Sequence, residues 1–185
     1  MPRPCIILGV VEYDPQIHHR RSTRLAGYDY SQAGAYFITV CTHNRDLLLQ
    51  VHHVQEVISS SWHTLPVRFP SVTLDEFVTM PNHMHGIIIL RGAASGTLTD
   101  RALGGGAADR GAASGAPTLG RVVCAFKSVS AVAANNALDR SGQPFWQRNY
   151  YEHVIRDEEE LNAVRRYIRE NPLKWSDDPD NPANL

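Results

Sequence analysis

The order of periodicities along the chain predicts an α+β fold, with an antiparallel sheet of about four strands, helices on one face and a further helix near the C-terminus. Three observations carry this. Several short runs are rich in β-branched and aromatic residues. Longer stretches repeat apolar residues at steps of three and four. The first of these alternate as strand, helix, strand, strand, which is the opening part of a ferredoxin-like arrangement.

The elements follow in chain order. Residues 1–30 read as a flexible N-terminal arm, ending in turn material around Gly27 and Gly34. Tyr36, Phe37, Ile38, Thr39 and Val40 then form the heart of a first strand over 35–42. Val51, Val54, Ile58, Trp62 and Leu65 mark an amphipathic helix, which Pro66 and Pro70 are expected to close. A second strand over 71–80 turns at Pro81 and Asn82 into a third, whose Ile87, Ile88, Ile89 and Leu90 read as buried.

Residues 91–118 change character. The hexapeptide from Arg91 to Gly96 recurs from Arg110 to Gly115, with Gly104, Gly105 and Gly106 between. So few large apolar groups cannot offset the entropy of ordering the backbone, and the segment reads as a flexible insert within a single domain spanning 1–185. Helical spacing returns over 119–138 through Val122, Val123, Phe126, Val129 and Val132. Residues 145–155 read as the fourth strand. Asp157 and Glu160 then supply a helix start, Leu161, Val164 and Ile168 its buried stripe, and Pro172 its stop.

Composition narrows the function classes. The 185 residues suffice for one core. A formal net charge of -1 argues against coating nucleic acid by bulk charge, so phosphate contacts would have to come from local clusters. Such a cluster spans 18–24, with Arg20, Arg21 and Arg24; Arg121 and Lys127 lie on faces of the second long helix. Three cysteines without close spacing suggest a reducing compartment and no zinc–thiolate site. There is neither an apolar run of membrane-spanning length nor a signal-peptide pattern, so a cytoplasmic protein with no membrane partner is expected.

The chemistry concentrates in two places. His83 and His85 are separated by one residue at the entrance of the third strand, so their side chains share a face and could hold one divalent cation together. Taken alone, such a pair is more often two ordinary polar residues at a strand entrance than a metal site. Tyr167 flanks the apolar stripe of the last helix, and Asn171 lies one turn further on the same face. A tyrosine in such a position, taken alone, more often packs than reacts.

Four blocks in order carry a resemblance. They are residues 20–31 with 34–42, the run from Met80 to Gly86, residues 145–157, and Tyr167 to Pro172. Together they closely resemble the REP-associated tyrosine transposases over about residues 17 to 175, apart from the glycine- and alanine-rich insert. The resemblance implies a single-stranded DNA transposase of the HUH type with one catalytic tyrosine. On that reading Tyr167 is the nucleophile and forms a 5′-phosphotyrosine intermediate, while His83, His85 and Asn171 hold Mg²⁺ or Mn²⁺. The substrate is single-stranded DNA beside a hairpin of the REP type. Tyr150, Tyr151 and His153 compete by chemistry for a catalytic role. They fall before the helix, and Tyr151 and His153 are assigned with Arg148, Arg20, Arg21, Arg24, Arg121 and Lys127 to DNA contact. A monomer is expected rather than a dimer that exchanges the tyrosine helix.

Two other readings compete. A hairpin-binding protein that has lost cutting is disfavoured because His83, His85, Tyr167 and Asn171 are all present. A metal hydrolase with attacking water is disfavoured by length, a (β/α)₈ barrel needing about 250 residues.

Overall fold

A computed structural model of the chain describes residues 28–91, 117–178 and 181–184. Arg20, Arg21 and Arg24 lie outside the described residues, as does nearly all of the expected insert. Strands β1 (Gly34–Cys41), β2 (Val72–Met80), β3 (His83–Leu90) and β4 (Tyr151–Ile155) form one sheet in the order β2-β3-β1-β4. Every neighbouring pair is antiparallel. Helix α1 (His52–His63) and the short α2 (Leu65–Arg68) connect β1 to β2. Helix α3 (Leu119–Ala137) precedes β4, and α4 (Glu158–Glu170) follows it. This is the expected α+β, ferredoxin-like arrangement.

The strand alternation sorts the core into two layers. Tyr36, Ile38 and Val40 of β1 and Met84 and Ile88 of β3 point to one face, where they pack with Val54, Ile58 and Trp62 of α1 and with Val122, Val123 and Phe126 of α3. Phe37, Ile87 and Ile155 point to the other and meet Val164 and Ile168 of α4. Two helices therefore cover one face, and the last helix packs on the opposite one. Gly86 sets the closeness of the first layer. A β-carbon there would sit 2.7 Å from the Trp62 ring, so the indole lies against bare β3 backbone. Trp62 also stacks on Phe77, with ring centroids 5.0 Å apart, and meets Phe126 edge-on.

Three boundaries differ from the sequence reading, each for a local reason. Pro66 does not end the helical region; it lies in the first turn of α2, where a missing N–H costs nothing. Val129 and Val132 are 48% and 61% exposed, because the buried stripe of α3 runs Phe126, Ser130, Ala134. The Ser130 hydroxyl donates to the Phe126 carbonyl and accepts from the Trp146 indole N–H, which makes a polar residue acceptable inside. The fourth strand is shorter than its aromatic run. Phe145 and Trp146 plug the core from a loop that pairs with the chain leaving β1, through the Thr42–Trp146 bridge and through the His43 N–H, which donates to the Phe145 carbonyl at 2.8 Å. The next three carbonyls, of Gln147, Arg148 and Asn149, accept from the Lys127 ammonium.

Candidate active site

His83 and His85 stand on the α4 side of β3, opposite Cys41 and Thr39 of β1. Both are buried, and their Nε2 atoms face one another at 3.1 Å. Each ring is held from behind. Asn82 Oδ1 accepts from His83 Nδ1–H at 2.7 Å, which leaves the Nε2 lone pair of His83 pointing into the site. The Thr39 hydroxyl lies 2.8 Å from His85 Nδ1 and can accept from it, which frees the His85 Nε2 lone pair in the same way. Burial, reinforced by the neighbouring His83, pushes the His85 pKa well below its ordinary value and so favours the neutral ring.

The turn that presents the pair is itself fixed. The Thr42 N–H donates to the Asn82 carbonyl at 2.9 Å, and the Leu49 N–H donates to the Pro81 carbonyl at 3.0 Å. The chain leaving β1 thus grips the β2–β3 turn immediately before the histidines.

Helix α4 brings the other half of the site. Asp157 caps it by accepting from the Glu160 N–H. Glu160 then accepts from the Arg156 N–H and from His153 Nε2, the latter at 2.6 Å, tying the helix start to β4. Burial alone would raise the Glu160 pKa, but the bonds from His153 and Arg156 outweigh it and the net shift is downward. On the other side Arg165 grips Asp75 of β2 with two bonds, 3.0 and 2.6 Å long, and Arg169 reaches Glu76 at 3.2 Å. Asp75 and Glu76 lie where the pairing of β2 with β3 breaks register. This irregularity turns two carboxylates toward the helix.

So docked, α4 sets the Tyr167 ring 5.3 Å from the His85 ring and 6.0 Å from Phe37, centroid to centroid. One turn later Asn171 is 5% exposed, and its Oδ1 has no hydrogen-bond partner. Four residues beyond, Trp175 lies with its ring centroid 6.1 Å from His83. Asn171 is therefore bracketed in sequence by two rings that each meet one of the histidines. Among the described residues no group of three or more His, Cys, Asp or Glu side chains could hold a metal. A buried amide oxygen without a partner, on the turn between the two rings that meet the histidines, adds to two imidazoles with inward lone pairs a set of neutral donors of the kind that suits a divalent cation.

The remaining expected contacts fall into distinct places. Tyr151 of β4 shares the histidine face, opposite Thr39, and meets Phe37 edge-on. Tyr150 packs against the α1/α3 layer instead. His153 is engaged with Glu160 and orients the helix. Lys127 departs from the expected phosphate contact. Its ammonium is taken up by three loop carbonyls, and burial lowers its pKa. Arg121 and Arg148 are exposed, the first on α3, which covers the sheet face away from the histidines, and the second on the loop before β4. Sequence reasoning missed Thr39, Asn82 and the Arg165–Asp75 pair. Only Asn82 left a signal, as the polar residue next to the histidines; the other two depend on strand register and helix docking.

No protein-family profile matches the chain. Its architecture defines a class of fold, that of the REP-associated tyrosine transposases. A solved member bound to a REP hairpin superposes with a TM-score of 0.54 at 20% sequence identity, covering 81% of this chain and 74% of that one. More narrowly, the chain belongs to one family with an uncharacterised protein of Haemophilus influenzae, 38% identical in an alignment 180 residues long that covers 90% of this chain and 96% of that protein. No helix among the described residues is long and apolar enough to cross a membrane.

Proposed function

We propose that the protein is a metal-dependent single-stranded DNA transesterase, transposase-like in its chemistry, which cuts beside hairpin DNA and holds the cut end on Tyr167. The observation that carries the reading is the approach of the Tyr167 ring to within 5.3 Å of the ring of His85, whose Nε2 faces that of His83. The hairpin substrate is supported by the solved transposase of the same fold, which is bound to a REP hairpin.

In the cutting step the Tyr167 oxygen bonds to phosphorus and the phosphorus–O3′ bond breaks. The phenolic proton is released, and the departing 3′ oxygen takes up a proton to become a free hydroxyl. The phosphoryl group stays on the tyrosine as a 5′-phosphotyrosine, so a 3′-hydroxyl can later attack it and rejoin the strand. A free phenol has a pKa of about 10, so its proton must leave as attack proceeds. His83, His85 and Asn171 would hold Mg²⁺ or Mn²⁺, which when bound neutralises charge on the phosphate oxygens. All three residues are neutral donors and leave the positive charge of that cation undiminished. Asn82 and Thr39 keep the imidazoles turned inward. The salt links of α4 keep the phenol over them. A monomer is the reading of the assembly carried from the family resemblance; a sedimentation mass twice 20.6 kDa would count against it.

The test is a denaturing gel of the protein with labelled stem-loop DNA carrying a single-stranded flank, in Mn²⁺. A covalent band is expected for wild type and none for Tyr167→Phe or His83→Ala. A band that survives Tyr167→Phe would move the nucleophile to Tyr150 or Tyr151. Tight binding with no band in any protein would favour the hairpin-binding protein that does not cut.

A further inference from the structure

We infer that Trp175 is a stacking platform for the nucleobase that borders the cut phosphodiester, an inference that rests on the DNA-cutting reading above. The chain has three tryptophans, and their environments differ. Trp62 and Trp146 are buried members of the α1/α3 layer. Trp175 is half-buried, belongs to neither apolar layer, and sits at the rim of the polar site with its ring 6.1 Å from His83 and tilted 49° to it.

The turn that carries Trp175 is held by its own chain. It lies in the 3-10 turn Asn171–Asp177, which continues directly from α4. The Asn181 side chain donates to the Trp175 carbonyl at 3.0 Å, and the Asn184 side chain donates to the carbonyls of Ser176 and Asp178 at 2.8 and 3.0 Å. Three bonds from two asparagines thus close the following segment back onto the turn. A large aromatic held rigidly and left partly open costs apolar exposure that the core does not recover, and a stacking partner would recover it.

Charge points the same way. Lys174 pairs with Glu170 at 2.8 Å, and against this one cation the turn and the residue after it carry Asp177 and Asp178, so they offer phosphate no net positive charge. A phosphodiester brought to Tyr167 must have its flanking bases pulled from their own stack so that the nucleophile can reach phosphorus. An aromatic face beside the histidines compensates one such base, and tolerates any of the four because each has a π-face.

The experiment uses the full chain carrying Tyr167→Phe, so that binding is read without cutting. The probe is stem-loop DNA with a single-stranded flank, in which abasic sites replace the flank bases one at a time. One abasic position, at the bond cut by the wild-type protein, is expected to weaken binding by about 5- to 140-fold, the worth of one stacked base. Adding Trp175→Ala should abolish the penalty at that position alone, and Trp175→Phe should retain most of it. Trp62 and Trp146 are buried, so quenching of intrinsic emission by this DNA should be lost with Trp175→Phe. An abasic penalty that persists at every position in Trp175→Ala overturns the platform and leaves the cutting reading intact. Coupling at one flank position without any wild-type adduct keeps base stacking on Trp175 but overturns the cutting, and with it the assignment of that base to a cut bond. No binding by any variant overturns both.

Discussion

Thr39→Val probes how the histidine pair is aimed while leaving the shape of the core nearly unchanged. The two side chains are nearly isosteric, and position 39 is 1% exposed, so no cavity opens and the effect is confined to the hydroxyl. That hydroxyl is 2.8 Å from His85 Nδ1, and His85 is fully buried, so water cannot replace it. Leaving a buried ring nitrogen without its partner costs about 1–3 kcal/mol of folding stability. Loss of a group behind a metal-binding imidazole typically costs about 10–100-fold in metal affinity. Urea denaturation should therefore report the stability loss, and Mn²⁺ titration of adduct formation should show half-saturation moving up by about that factor. The rate at saturating Mn²⁺ should change little, since Tyr167 is held by α4 and not by Thr39. A variant that loses stability but needs no more Mn²⁺ than wild type would refute the idea that Thr39 aims His85.

Lys127→Met separates anchoring from DNA contact. With its three carbonyl partners left unmatched, stability should fall by about 1–3 kcal/mol, while the salt dependence of DNA binding stays as in wild type; a slope reduced by about one unit would restore the phosphate contact. Asp75→Asn should cost about 1–2 kcal/mol, since the Arg165 fork is largely but not wholly shielded from water, and a cycle with Arg165→Met isolates the pair. The Arg165 bond holds the Asp75 pKa below its usual value, so this stability is present above about pH 4 and is lost as pH falls through the lower native pKa. Asp75→Asn should flatten acid unfolding in that window, and an unchanged acid limb would contradict the assignment. Gly86→Ala should destabilise by about 1–3 kcal/mol through the Trp62 clash, and Trp62→Leu in the same chain should relieve part of it.

The sheet was legible because its strands advertise themselves in composition. Runs such as Tyr36 to Val40 and Ile87 to Leu90 are apolar on both faces, and the structure covers both, with α1 and α3 on one side and α4 on the other. The histidine face followed from the two-residue period alone. Less legible were the places where polar groups serve packing. Ser130 is inside and Val132 outside, because a hydrogen bond to Trp146 makes the serine the better buried partner. Lys127 read as a surface cation because nothing in its neighbourhood announces that a loop 20 residues away will offer it carbonyls.

The joining of the two halves of the site is the part that sequence conveys least. His85 and Tyr167 are brought together only because β3 lies inside the sheet and α4 crosses the face its histidines occupy. That crossing is set by Asp75 with Arg165, Glu76 with Arg169, and His153 with Glu160, pairs that link distant stretches and leave no periodicity. Each pair is modest because it is partly wet. They act on one helix whose apolar stripe already selects this face, so their task is orientation, fixing where along the face the phenol falls. A substitution at Asp75 should therefore disturb the cutting rate more than DNA affinity. Its stability cost is spread over a helix that remains docked, while its geometric cost falls on Tyr167.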